Sequence, residues 1–275
     1  MRSTPDFLEH DGCRLAYTQW GEGPPVVFIQ GTGVHGGGWL PQVDALKDRF
    51  RCITFDNRGM GLSQPCGTSL SVEQMAGDTL AIMDACGIEA AHIVGHSLGG
   101  SVAQQLALTA HNRIRSLALL NSFARGADAT RLTRDLLWLG IRSRIGPIRM
   151  RRRAFLKIIM PDEVLENSDC DAMEVEFASL FGHDLGVYPP VVMKQMSAMR
   201  NCDLTSRLAE LKGLPTLVIG AAQDRIARPE MVRALANGIP GAKLVEFPNA
   251  GHALPIQLAD EVNELLASHL EGSVV

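Results

Sequence analysis

The 275-residue chain has no apolar run long enough to span a bilayer. Its opening segment, Met1-Arg2-Ser3-Thr4-Pro5-Asp6, lacks the apolar core of a signal peptide. The expectation is a cytoplasmic protein with no membrane partner. The six cysteines, Cys13, Cys52, Cys66, Cys86, Cys170 and Cys202, include no Cys-x-x-Cys pair and no histidine at metal-ligand spacing. Neither a disulfide framework nor a metal site is expected, and the thiols read as reduced. Positive charge is not in excess: 26 Lys and Arg face 30 Asp and Glu, a net charge of −4 that offers nothing to attract nucleic acid. No Gly-Lys-Ser/Thr follows a glycine-rich loop, which argues against a nucleotide cofactor. What is present is 46% hydrophobic and 20% charged, material for a large α/β domain with a sizeable core.

Short apolar segments at 26–29, 52–55, 92–94, 117–120, 216–219 and 244–247 alternate with helical patterns at 71–86, 97–110, 229–236 and 258–270. Strands apolar on both faces must be covered on both, which predicts a mostly parallel central sheet with helices on each side. Residues 7–20, with Gly12 in a turn context, read as an antiparallel hairpin at the sheet edge. From 123 to 211 the rhythm breaks into short helical pieces separated by Gly146-Pro147, Pro161 and Pro189-Pro190. The expected organisation is a core of 1–122 and 212–275 with a helical lid, 123–211, over the carboxyl edge of the sheet.

Gly95-His96-Ser97-Leu98-Gly99-Gly100 joins a strand to a helix. A turn this sharp leaves room for little beyond hydrogen at its flanks and holds the serine in a strained conformation above a helix N-terminus. A serine hydroxyl is a poor nucleophile unless a base sits within reach and a third group fixes the base's tautomer. Asp224 follows the strand at 216–219, and His252 follows the strand at 244–247. Singly, each reads as a turn former or a surface residue. In the order Ser97, Asp224, His252, each at a strand's carboxyl end, they read as a catalytic triad. Asn121, after the strand preceding the lid, cannot replace the acid because an amide does not stabilise an imidazolium as a carboxylate does. The oxyanion donors expected are the backbone N–H groups of Leu98 and of Thr32, the latter in the glycine-dense loop at 30–39. His35 in that loop is a candidate to line the pocket, and His96 is expected to face away from the reaction.

These motifs resemble the α/β-hydrolase superfamily, with Phe55-Asp56-Asn57-Arg58-Gly59-Met60-Gly61-Leu62-Ser63 similar to its Asp-x-Arg-Gly-x-Gly-x-Ser turn. The segment at 31–42 is similar to β-ketoadipate enol-lactonases and related small serine esterases, although Gln30 stands where many relatives carry histidine. The resemblance implies the α/β-hydrolase fold and hydrolysis of a small-molecule ester or lactone with a small to medium acyl part, through an acyl-Ser97 intermediate. Carbon–carbon bond hydrolases and cofactor-free perhydrolases share the same triad, and a non-catalytic small-molecule receptor can retain it. Haloalkane dehalogenase and epoxide hydrolase chemistry would require aspartate in place of Ser97.

The lid carries Arg142, Arg144, Arg149, Arg151, Arg152, Arg153 and Lys157 ahead of an acidic stretch from Asp162 to Glu176. The simplest expectation is that the two stretches pair or face water; an inward arginine would draw a carboxylate-bearing substrate. Leu136, Leu137, Trp138, Phe155, Phe177, Leu180, Phe181, Met193 and Met196 supply apolar lid surface, part of which must face the sheet.

Overall fold

Asp11 and Gly12 both take positive φ, 46° and 70°, the twist that lets two strands turn back on each other tightly. They join β1 (Asp6–His10) to β2 (Cys13–Trp20) as an antiparallel hairpin. This is a computed structural model, describing residues 4–67, 69–131 and 133–273. Met1, Arg2, Ser3 and the outer bound at 275 lie outside the described residues. The chain continues through β3 (Pro25–Ile29), α1 (Leu40–Leu46), β4 (Arg51–Phe55), α2 (Val72–Ala85), β5 (Ala91–His96), α3 (Leu98–Thr109) and β6 (Ile114–Leu120). Among the described residues six α-helices follow, α4 (Gly126–Ala129), α5 (Arg134–Arg142), α6 (Ile148–Ile159), α7 (Asp162–Glu166), α8 (Cys170–Phe181) and α9 (Val192–Asn201), and then a 3-10 helix, Thr205–Leu211. The chain then returns through β7 (Thr216–Ala221), α10 (Pro229–Gly238), β8 (Lys243–Phe247), α11 (Leu254–Gln257) and α12 (Ala259–Glu271).

The eight strands form one sheet in the order β1-β2-β4-β3-β5-β6-β7-β8. Only the pairings of β2, with β1 and with β4, are antiparallel. Alternation along each strand divides the core. Val27, Ile29, Ile53, Ile93 and Leu119 pack on one face with Met75, Val102, Leu106 and Val232 from α2, α3 and α10. Val26, Phe28, Cys52, Val94 and Leu120 pack on the other with Trp39, Val43, Leu46, Val262 and Leu266. Each such aliphatic or aromatic side chain, wholly withdrawn from water, stabilises the fold by about 1.5–3 kcal/mol. The sheet is therefore a rigid floor, and its strand ends hold their loops at fixed positions.

The stretch between β6 and β7 divides by its packing. Phe123, Ala129, Met199, Cys202, Leu204 and Leu208 join the cluster on the sheet. Leu136, Leu156, Ile159, Leu165, Phe177 and Phe181 form a cluster of their own, which also includes Val34 and Ala253. The expected pairing of lid charges is present for Arg149 with Asp171, Arg152 with Glu174 and Arg153 with Asp171 and Glu174, whereas the nearer partner of Arg152 is Asp184, beyond the acidic stretch. In the turn that follows β4, the wholly buried Arg58 makes a two-pronged contact with buried Asp78 on α2, fixing the turn at 56–63. All six cysteines are free; burial pushes the thiols of Cys52 and Cys202 up to about 12, leaving them protonated and unreactive.

Candidate active site

Ser97 has φ 54° and ψ −120°, a conformation costly for any residue with a side chain. The glycines around it explain how the strain is held. A Cβ on Gly95 would lie 2.4 Å from the Gly99 carbonyl oxygen, and one on Gly99 would lie 2.1 Å from that of Ile29. The Ser97 N–H donates to the Leu120 carbonyl at 2.9 Å, and the Ser122 hydroxyl donates to the Ser97 carbonyl at 2.9 Å. With its backbone pinned from β6, the Ser97 side chain stands at the end of β5 on the floor of a cavity.

His252 lines the same cavity, following β8. Its Nδ1–H donates to Asp224 Oδ2 at 2.7 Å, which leaves Nε2 as the lone-pair nitrogen. Asp224 accepts three further hydrogen bonds: from Asn121 Nδ2 at 2.7 Å on Oδ2, and from the N–H groups of Ile226 and Ala227 at 2.7 and 2.9 Å on Oδ1. Burial, the largest single influence, pushes this carboxyl up. The charge and hydrogen bond of His252, with the donors of Asn121 and Ile226, outweigh it and hold the pKa below the ordinary 3.8. Asp224 is thus an ionised carboxylate with every approach occupied.

Asn121, which cannot serve as the acid, instead donates to Asp224, a contact that the sequence did not disclose. It is wholly buried at φ 45° and also donates to the Gly251 carbonyl at 3.2 Å. The available signal was an asparagine directly after a strand, the residue type that tolerates positive φ. His96 departs from its expected place. It lines the cavity, and its Nε2–H donates to the His252 carbonyl at 2.9 Å. Burial, then the nearby His252, push its pKa down to about 3, so the ring stays neutral. His35 does not line the cavity; it packs against Gly182, where a Cβ would fall 2.5 Å from its ring.

The loop after β3 is fixed atom by atom. Gln30 Oε1 accepts the Gly31 N–H at 3.2 Å, and the Gln30 carbonyl accepts from Asn57 at 2.8 Å, so glutamine holds the loop locally. Gln195 Oε1 accepts the Gly33 N–H at 2.8 Å. Of the three successive N–H groups from Gly31 to Gly33, that of Thr32 alone has no acceptor among the described residues. Leu98 is the first residue of α3, where the helix offers its N–H no internal partner. Thr32 and Ser97 both line the cavity.

The cavity encloses about 360 Å³ and is mostly apolar. From the insertion, Leu136, Leu137, Ile141, Phe155, Phe181 and Met196 face it. Phe177 lies in the lid cluster, whereas Trp138 and Met193 are exposed. Arg144 is at the exposed rim, its guanidinium 4.6 Å from the centre of the Tyr188 ring. Among the described residues no group of three or more His, Cys, Asp or Glu side chains is arranged to hold a metal ion, and no helix is long and apolar enough to cross a membrane.

The chain is similar to known proteins over nearly its whole length. The chain is 32% identical over 256 residues to a protein of Azorhizobium caulinodans named as putative carbamate hydrolase RutD, covering 92% of this chain and 93% of that one. Among solved structures it is similar to the enol-lactonase of Burkholderia xenovorans LB400, with 27% identity, TM-score 0.81, and coverage of 97% of this chain and 100% of that one. It is also similar to Est816, described as an N-acyl homoserine lactone degrading enzyme, with 26% identity, TM-score 0.81, and coverage of 96% and 99%. Residues 26–265 match the profile of the alpha/beta hydrolase family, and the chain belongs to that family.

Proposed function

We propose that this hydrolase cleaves carboxylic esters and lactones with small to medium apolar acyl parts, by way of an acyl-Ser97 intermediate. The observation that carries the reading is the hydrogen-bonded pair of Asp224 and His252, at 2.7 Å, opening on the same apolar cavity as the strained Ser97. His252 Nε2 takes the Ser97 proton as Oγ attacks the acyl carbon, and the carbonyl electron pair moves onto oxygen. The N–H groups of Leu98 and Thr32 stabilise that oxyanion, each contributing about 3–4 kcal/mol. The C–O bond to the leaving group then breaks as His252 returns the proton to it. Water, deprotonated by the same nitrogen, attacks the acyl carbon and releases the acid with Ser97 restored. Asp224 remains ionised and His96 neutral throughout. The insertion helices close the cavity as a lid and supply the acyl-facing surface.

The lactone-degrading neighbours support the lactone half of this reading, and the apolar lining supports an acyl chain over the small polar portion of a carbamate. A panel of p-nitrophenyl butyrate, an N-acyl homoserine lactone, an alkyl carbamate and a vinylogous 1,5-diketone tests it. Turnover of ester and lactone, lost together in Ser97→Ala, is expected. Turnover of the diketone alone would assign carbon–carbon hydrolysis; binding of the panel without turnover would assign a receptor.

A further inference from the structure

From the reading above, on which this rests, we infer that Gln195 and His183, both in the insertion, are positioning residues that hold the Thr32 oxyanion donor in place. Gln195 lies on α9 among Val192, Ala198 and Met199 and is wholly buried. A polar side chain within a buried apolar stripe requires a partner, and Oε1 accepts the Gly33 N–H at 2.8 Å across 162 residues of sequence. Among the described residues its Nε2 has no partner, so acceptance by Oε1 is the one polar service this buried amide performs there. His183 approaches the same residue from the other side, with Nε2 2.7 Å from the Gly33 carbonyl. Its Nδ1 is 2.9 Å from the Asp184 carbonyl, so the neutral ring donates to one carbonyl and the imidazolium to both. A third link joins the same parts: the His35 N–H donates to the Phe181 carbonyl at 3.4 Å.

The Thr32 N–H belongs to the peptide between two fixed ones. The peptide before it is held by Gln30 Oε1 on the Gly31 N–H, and the peptide after it by Gln195 on the Gly33 N–H. Gly33 is at φ 76°, where its carbonyl turns toward His183 at no steric cost to glycine. Two of these anchors come from the insertion and not from the sheet. Movement of the insertion away from the loop therefore releases the Thr32 donor, and seating it restores the donor. The consequence is that a substrate which keeps the insertion seated gains in kcat and not only in KM.

Gln195→Met, close in volume but without an acceptor, is compared with Gln195→Glu, which keeps an acceptor at the same atom. The probes are p-nitrophenyl butyrate, an alkyl trifluoromethyl ketone and the corresponding secondary alcohol. Ser97 Oγ bonds to the ketone carbon, the carbonyl pair becomes an oxyanion and His252 takes the serine proton; the alcohol has no carbonyl to attack. A donor displaced by about an ångström costs on the order of 10²-fold. The expected result for Gln195→Met is a fall in kcat of about 10- to 100-fold with KM little changed. Ketone affinity should fall by the same factor, alcohol affinity should hold, and Gln195→Glu should recover much of the loss. Equal weakening of ketone and alcohol, or a loss confined to KM, would overturn the inference. If Gln195→Met does not fold, His183→Leu against His183→Gln makes the same comparison from the carbonyl side: a kcat and ketone loss supports the clamp, and equal weakening of ketone and alcohol overturns it. Wild-type protein that neither turns over the ester nor binds the ketone would instead remove the serine-hydrolase reading, and the clamp with it.

Discussion

Both oxygens of the Asp224 carboxylate are filled, one by His252 and Asn121 and the other by two backbone N–H groups. Its charge is therefore present because four donors compensate its burial, and its effect on His252 depends on that charge. Asp224→Asn keeps the shape but offers an amide in place of the acceptor, and kcat for ester hydrolysis is expected to fall by about 10⁴-fold. Because its folded pKa lies below the ordinary 3.8, the stability it contributes is complete above that value. That stability is lost as pH falls through the lower folded value. Asn121→Asp places a second carboxylate against the first, and two adjacent carboxylates do not both ionise readily. This variant is expected to be less stable than the wild type at neutral pH and to recover much of the difference as pH falls and the pair takes up a proton, read as urea midpoints at several pH values. A deficit that does not change with pH would contradict the contact assigned to Asn121. That contact was hidden in the sequence because it depends on residues 103 positions apart meeting at one atom.

The elbow between β5 and α3 is set by backbone contact at glycines. A methyl group at Gly99 would fall 2.1 Å from the Ile29 carbonyl oxygen and force β3 or α3 to move. Gly99→Ala is expected to destabilise the protein by about 1–3 kcal/mol or more, read as a lower urea midpoint with activity lost. This element was legible because its determinants are local: glycines spaced around a serine, with an apolar strand before and a helix after. The strands were legible for a similar reason, since burial on both faces leaves few places for polar residues. The seven-residue α1 and four-residue α11 left no such trace, being too short for a helical period to show. Gln195 left only a faint one, a polar residue on the buried stripe of α9, and His183 left none, because its partner is 150 residues away.

At the scale of the molecule, a rigid sheet carries Ser97, Asp224 and His252, and an insertion that packs partly on the sheet and partly in a cluster of its own covers them, enclosing an apolar space of about 360 Å³. Each methylene buried there contributes about 0.8 kcal/mol. In a series of p-nitrophenyl esters, kcat/KM is expected to rise about fourfold per added carbon until the cavity is full, then fall. A flat series would mean that the acyl group lies outside this space. The layout of sheet and insertion was readable from the alternation of patterns; which insertion residues face the cavity was not, because that depends on how short helices turn against one another. The most direct measurement is mass spectrometry of the intact protein after treatment with an alkyl phosphonate ester, with the modified peptide mapped. One adduct per chain, on Ser97 and absent from Ser97→Ala, is the expected result. No adduct on active wild-type protein, or ester turnover that persists in Ser97→Ala, would contradict nucleophilic catalysis by Ser97.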